Sequence, residues 1–114
     1  MKLNHLNLTV TDAIAARDFL ASYFGLRAME GGSQAFVFMQ DDHGMVLTLI
    51  RTRGEVTYPP SFHIGFIQES EEQVNEINRR MREDGHNVDP PARLHGSWTF
   101  YHQAPGGFTV EVLA

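Results

Sequence analysis

The chain has 114 residues, 42% of them apolar and 20% charged, which suits one compact domain with its own core. Net charge is −5, with no basic run and no cysteine. This composition excludes a disulfide frame, a thiolate nucleophile and a thiolate metal site, and argues against nucleic acid and anionic membranes as partners.

In chain order, LNHLNLTV (residues 3–10) alternates as a strand does. Leu6, Leu8 and Val10 share one face; His5, Asn7 and Thr9 share the other. No charged-then-apolar leader precedes it, and no apolar run approaches the ~20 residues of a membrane span, so a cytoplasmic setting is expected. Asp12 is an N-cap for a helix carrying Ala16, Phe19, Leu20, Tyr23 and Phe24 at helical spacing, and Gly25 ends it. Residues 26–29 form a short strand. AFVFMQ (35–40) and MVLTLI (45–50) form a hairpin across DDHG (41–44). Residues 51–61, with two prolines and a glycine, form a linker.

The order then recurs. FHIGFI (62–67) is a strand, and Ser70 and Gln73 form a capping box for a helix carrying Val74, Ile77 and Met81. Gly85 closes that helix. Residues 86–88 are expected as a short strand and 89–96 as a loop. WTFYHQ (98–103) and FTVEVLA (108–114) pair through APGG (104–107). The chain thus reads βαβββ twice, with repeat one at about 1–50 and repeat two at about 62–114, in a single domain spanning 1–114. His63 follows His5 by 58 residues. Farther on, Tyr101 matches Phe38 and Glu111 matches Thr48, each 63 residues later. The expected fold is α+β: two βαβββ repeats forming a curved mixed sheet cup with the helices outside.

Alternation places His5, His63 and Glu111 on strand faces opposite their apolar neighbours. Repeats paired about a pseudo-twofold axis bring equivalent positions together. Three of those four positions, His5, His63 and Glu111 but not Thr48, are metal-ligand types. Two imidazoles and one carboxylate form a facial set that leaves about three positions for substrate or water. Such a set suits Fe(II), Mn(II), Ni(II) or Zn(II), and ligand type does not choose among them. Tyr101 is the candidate catalytic residue, as an acid or a donor to a metal-bound oxygen. Asn7, Thr9 and Thr48 are candidate hydrogen-bonders to substrate, and Phe36 and Phe38 a candidate apolar wall. Arg93, before the Tyr101 strand, is the candidate partner for an anionic group.

These residues resemble the vicinal oxygen chelate superfamily, which includes glyoxalase I, extradiol dioxygenases, fosfomycin-resistance proteins, methylmalonyl-CoA epimerase and bleomycin-resistance proteins. NHLNLTVTDAIAARDFLASYFGLR resembles its opening strand and helix, FHIGFI its second histidine strand, and FYHQAPGGFTVEVL its closing Y-x-x-x-P-x-G-x-x-x-E pattern. The resemblance implies that His5, His63 and Glu111 hold the metal. It implies a homodimer in which His5 of one subunit joins His63 and Glu111 of the other. Glyoxalase I has a fourth ligand, a glutamate, where this chain has Thr48, which disfavours that isomerisation. The fosfomycin enzymes have a threonine in place of Asn7 and a lysine near Pro91, which disfavours fosfomycin as substrate. The expectation is therefore a metal-dependent small-molecule enzyme, a lyase, transferase or extradiol-type dioxygenase, that chelates vicinal oxygens of its substrate. The alternative is a metal-free drug-binding protein of the bleomycin-resistance type.

Overall fold

The computed structural model describes all 114 residues, arranged as two compact units. Unit 1 comprises Met1–Pro59 and Ala104–Phe108; unit 2 comprises Pro60–Gln103 and Thr109–Ala114. Each unit holds one helix and one four-stranded mixed sheet, as expected of an α+β chain. No helix is long and apolar enough to cross a membrane.

In unit 1, β1 (His5–Val10), β2 (Arg27–Ala28), β3 (Phe36–Gln40) and β4 (Val46–Arg51) form a sheet in the order β1-β4-β3-β2. β1 lies parallel to β4, and the other pairs are antiparallel. The alternation in β1 emerges as read: Leu8 and Val10 are buried while His5, Asn7 and Thr9 are exposed. α1 (Ala13–Phe24) buries Ala13, Ala16, Phe19, Leu20 and Tyr23, the three- and four-residue spacing of a helix stripe. Asp12 caps it, accepting from Ala15 N at 3.0 Å, and Gly25 ends it at a φ of 69°.

In unit 2, β5 (Ile64–Ile67), β6 (Ala92–Leu94), β7 (Ser97–Ala104) and β8 (Phe108–Leu113) take the corresponding order β5-β8-β7-β6. β5 again runs parallel to its neighbour β8. α2 (Glu71–Glu83) is capped by Ser70, which accepts from Gln73 N, while Gln73 Oε1 accepts from Glu69 N.

Three local expectations need correction. Residues 86–88 form no strand, and β6 lies instead inside the expected 89–96 loop. Pro90 and Pro91 cannot donate to a ladder, so pairing begins after them. It then closes on a two-residue turn, His95–Gly96, with φ of 54° and 81°. Two positive φ angles match the right-handed strand twist of a tight hairpin, and histidine tolerates that region better than most residues. Second, His63 precedes β5 instead of lying within it. Third, Arg93 sits across from Trp98 on β7 and bonds Glu71 of α2 through one guanidinium nitrogen, 3.0 Å from each carboxylate oxygen. Trp98 Nε1 donates to Asn75 of α2, so this is the helix-bearing side of the sheet. Arg93 thus braces the hairpin against α2.

The β7–β8 turn belongs to unit 1. Thr11 N donates to Gly106 O at 3.0 Å. Gly106 has a φ of 103°, and a Cβ there would come within 3.1 Å of Val10 Cβ and 3.4 Å of Ala16 Cβ. Both torsion and space demand glycine. Gly106→Ala is expected to cost roughly 2 kcal/mol or more, read as a lowered urea midpoint.

On the helix side of unit 2, the His86 and His102 rings meet edge to face with centroids 5.2 Å apart. Burial, and then His86, lower the His102 pKa below its ordinary value. The neutral ring is therefore the one folding favours. Its contribution is complete above the unfolded pKa of ~6.5 and is lost as pH falls through the lower folded value. Urea midpoints between pH 7.5 and 5 should fall less steeply in His102→Gln than in the wild type.

Candidate functional site

Strand register sorts the candidate residues onto two sheet faces. In unit 1, Asn7 pairs with Thr48 and Thr48 with Phe38, so the three form one row across β1, β4 and β3. Thr9 and Phe36 flank Ile50 in the next row. His5, opposite Val46, stands at the end of β1 on the same face. Its Nδ1 lies 2.7 Å from Asn4 Oδ1. A carboxamide oxygen only accepts, so Nδ1 donates and Nε2 is the nitrogen left to bind.

In unit 2, Gly65 pairs with Glu111. Trp98 and Ala114 exchange backbone hydrogen bonds, and counting inward from that pair sets Tyr101 opposite Glu111. Gly65, Glu111 and Tyr101 therefore form a row with the same strand positions as Asn7, Thr48 and Phe38. The offsets of 58 and 63 residues reappear as matching register in the two sheets.

Glu111 is only 9% exposed, and a buried carboxylate needs partners. Thr99 Oγ1, itself buried, donates to Glu111 Oε2 at 2.8 Å. Glu111 Oε1 faces His63 Nε2 at 3.4 Å. His63 Nδ1 lies 3.0 Å from the Ser61 carbonyl and must donate to it, which again leaves Nε2 outward. The Tyr101 ring meets the His63 ring edge to face with centroids 5.3 Å apart. Burial, and then its hydrogen bond and charge contact with Glu111, raise the Tyr101 hydroxyl above its ordinary value. Tyr101 is thus kept protonated, as a donor.

His63, Glu111 and Tyr101 come together in unit 2; His5, Asn7, Thr9, Phe36, Phe38 and Thr48 share one sheet face of unit 1. Arg93 joins neither group. Within the chain no three His, Asp or Glu side chains lie within reach of one ion. The residues of unit 2 nevertheless suit a divalent cation. An imidazole nitrogen and a carboxylate oxygen face one another, and each is oriented from behind by a hydrogen bond, as metal ligands usually are.

Two contributors were missed in the sequence. Thr99 carried a signal, a hydroxyl two residues before Tyr101 on the same face. Tyr58 carried none. Its hydroxyl accepts from Thr9 N at 2.9 Å and donates to Thr9 O at 2.8 Å, closing the open edge of β1 from within the linker.

The family model for the glyoxalase/bleomycin resistance protein/dioxygenase superfamily matches residues 2–112. The chain belongs to this superfamily. Among solved structures it is similar to a possible glyoxalase from Bacillus cereus, at 54% identity and a TM-score of 0.94, over 100% of this chain and 99% of that one. It is also similar to the oxidase ChaP-H2, at 27% identity and a TM-score of 0.80, over 100% and 93% of the two chains. A lactoylglutathione lyase from Agrobacterium tumefaciens, at 23% identity and a TM-score of 0.77 over 98% and 92%, shares the fold. No curated protein matches the sequence.

The Thr99 hydroxyl is open to direct test. Thr99→Val keeps the shape and removes the hydroxyl donor to the buried Glu111 Oε2, with an expected loss of ~1–3 kcal/mol in urea unfolding at pH 7. Thr99→Ser, which retains the hydroxyl, should keep most of that stability.

Proposed function

We propose that this chain is a metal-dependent enzyme of the superfamily in which His5, His63 and Glu111 hold one divalent ion. The observation carrying this reading is the facing of His63 Nε2 and Glu111 Oε1, each fixed from behind by Ser61 O and Thr99 Oγ1. His5 offers the same arrangement, with Nδ1 held by Asn4 and Nε2 free. No three such ligands gather within one chain, so the reading includes a homodimer in which a second copy supplies the missing imidazole.

When bound, an Fe, Mn, Ni or Zn ion supplies Lewis-acid stabilisation of an oxyanion on a substrate with two adjacent oxygens, or an O₂-binding position if it is Fe(II). The chain's own residues do the rest. Tyr101, kept protonated beside Glu111, stands where its hydroxyl can turn from the carboxylate and donate a hydrogen bond to the oxygen on which negative charge develops. Asn7 and Thr9 offer hydrogen bonds along the unit 1 face, and Phe36 and Phe38 offer an apolar wall that excludes water. Thr48 has no carboxylate with which to abstract a proton, so a carbon-acid isomerisation of the glyoxalase I kind lacks its base. Lyase, transferase and extradiol-type oxidation remain within this reading.

Metal content of the purified protein tests the proposal. Roughly one divalent ion per site is expected, with affinity reduced by about tenfold or more in His63→Ala and in His5→Ala. No metal at any stoichiometry in the wild type, with no change in His63→Ala, would sink the proposal in favour of metal-free drug binding.

A further inference from the structure

Gly65 is an unexplained residue in an otherwise ordinary strand. Its φ lies outside the left-handed region, so torsion does not require glycine. Space does not require it either: a Cβ there would meet only Leu113 Cδ2, at an ordinary 3.7 Å. Glycine inside a strand weakens it and commonly marks a place where a ligand approaches the backbone. Gly65 stands directly beside Glu111 in the ladder, on the face shared by Tyr101. It leaves a bare lane next to the carboxylate. Ile67, 80% exposed, stands two residues along the same strand face, and Leu113 borders the lane from β8.

We propose that Gly65 is a specificity-determining residue that seats the carbon body of a flat, uncharged substrate whose two adjacent oxygens turn toward His63 and Glu111. The proposal rests on the metal reading above and adds the chemistry of the substrate's body. Ile67 and Leu113 give that body apolar contact. Charge argues in the same direction. The free strand faces carry no lysine. Arg27, on the unit 1 face, is already tied to Asp42 at 2.6 Å, and Arg93 is tied to Glu71 on the helix side. Away from the metal ligands, a phosphonate, a coenzyme A tail or a glutathione carboxylate meets neither Arg27 nor Arg93 as a free side-chain cation.

Three titrations test this with wild type, Gly65→Ala and Gly65→Val. The probes are Ni²⁺ alone, 4-methylcatechol, and its anionic relative 3,4-dihydroxybenzoate, the last two with and without Ni²⁺. Valine favours strands, so Gly65→Val is expected to fold with an unchanged or raised urea midpoint. Ni²⁺ should bind all three proteins alike. 4-Methylcatechol should bind the wild type about tenfold more tightly than the carboxylated analogue, weaken in Gly65→Ala, and lose about tenfold or more in Gly65→Val. Equal 4-methylcatechol binding by wild type and Gly65→Val overturns the proposal, as does equal binding of the two catechols to the wild type. A wild type that takes up none of Ni²⁺, Zn²⁺, Mn²⁺ and Fe²⁺ overturns the metal reading alone. The metal-free titrations then decide the lane: a neutral-over-anionic preference lost in Gly65→Val supports it, and no preference overturns it.

Discussion

Glu111 puts a carboxylate into the middle of strand β8, flanked by buried Val110 and Val112. Taking such a group out of water is unfavourable unless its oxygens find partners. Most features of unit 2 answer that need. The β7–β8 register brings Tyr101 opposite and Thr99 diagonally across, so two hydroxyls from one strand reach the same carboxylate. The parallel β5 brings His63 to the remaining oxygen. A one-residue slip of either neighbour would turn those groups to the helix side.

The same scaffold in unit 1 has no such demand. Thr48 occupies the corresponding place, equally buried but uncharged, with Asn7 and Phe38 beside it. Unit 1 thus presents one imidazole, three amide or hydroxyl groups and an aromatic wall, while unit 2 concentrates the charge. Two sheets of the same strand order diverge in chemistry through the side chains of a single row. Gly65 for Asn7 and Tyr101 for Phe38 complete that exchange: one sheet gains open space and a hydroxyl where the other has an amide and a ring.

Much of this was legible in the order of residues, because the relevant physics is local. Alternation in LNHLNLTV sorted His5 from Leu8 without any tertiary information, and Asp12, Ser70 and Gly25 marked helix ends through hydrogen bonds spanning a few residues. The repeat carried the comparison further, since the offsets of 58 and 63 residues foretold matching register. Nonlocal features escaped. Tyr58 reaches Thr9 across 49 positions, with nothing in the linker to announce it. Arg93 invited a ligand role as a loop cation, yet the tight His95–Gly96 turn folded its loop into a hairpin and delivered it to Glu71. The His95–Gly96 pair lacks the usual asparagine or aspartate of such turns, which is why the loop reading prevailed.

The turn at Gly106 has a bearing on how the chain acquires its structure. Residues 104–108 complete the packing around Val10 and Ala16, almost a hundred positions earlier. A growing polypeptide therefore displays its first sheet and helix with a gap in their packing until residues 104–108 have been synthesised. Closing that gap joins residues 90 or more positions apart, the slowest kind of contact for a small protein to form. The first half waits on the second, and a truncation short of the turn would remove a piece of both.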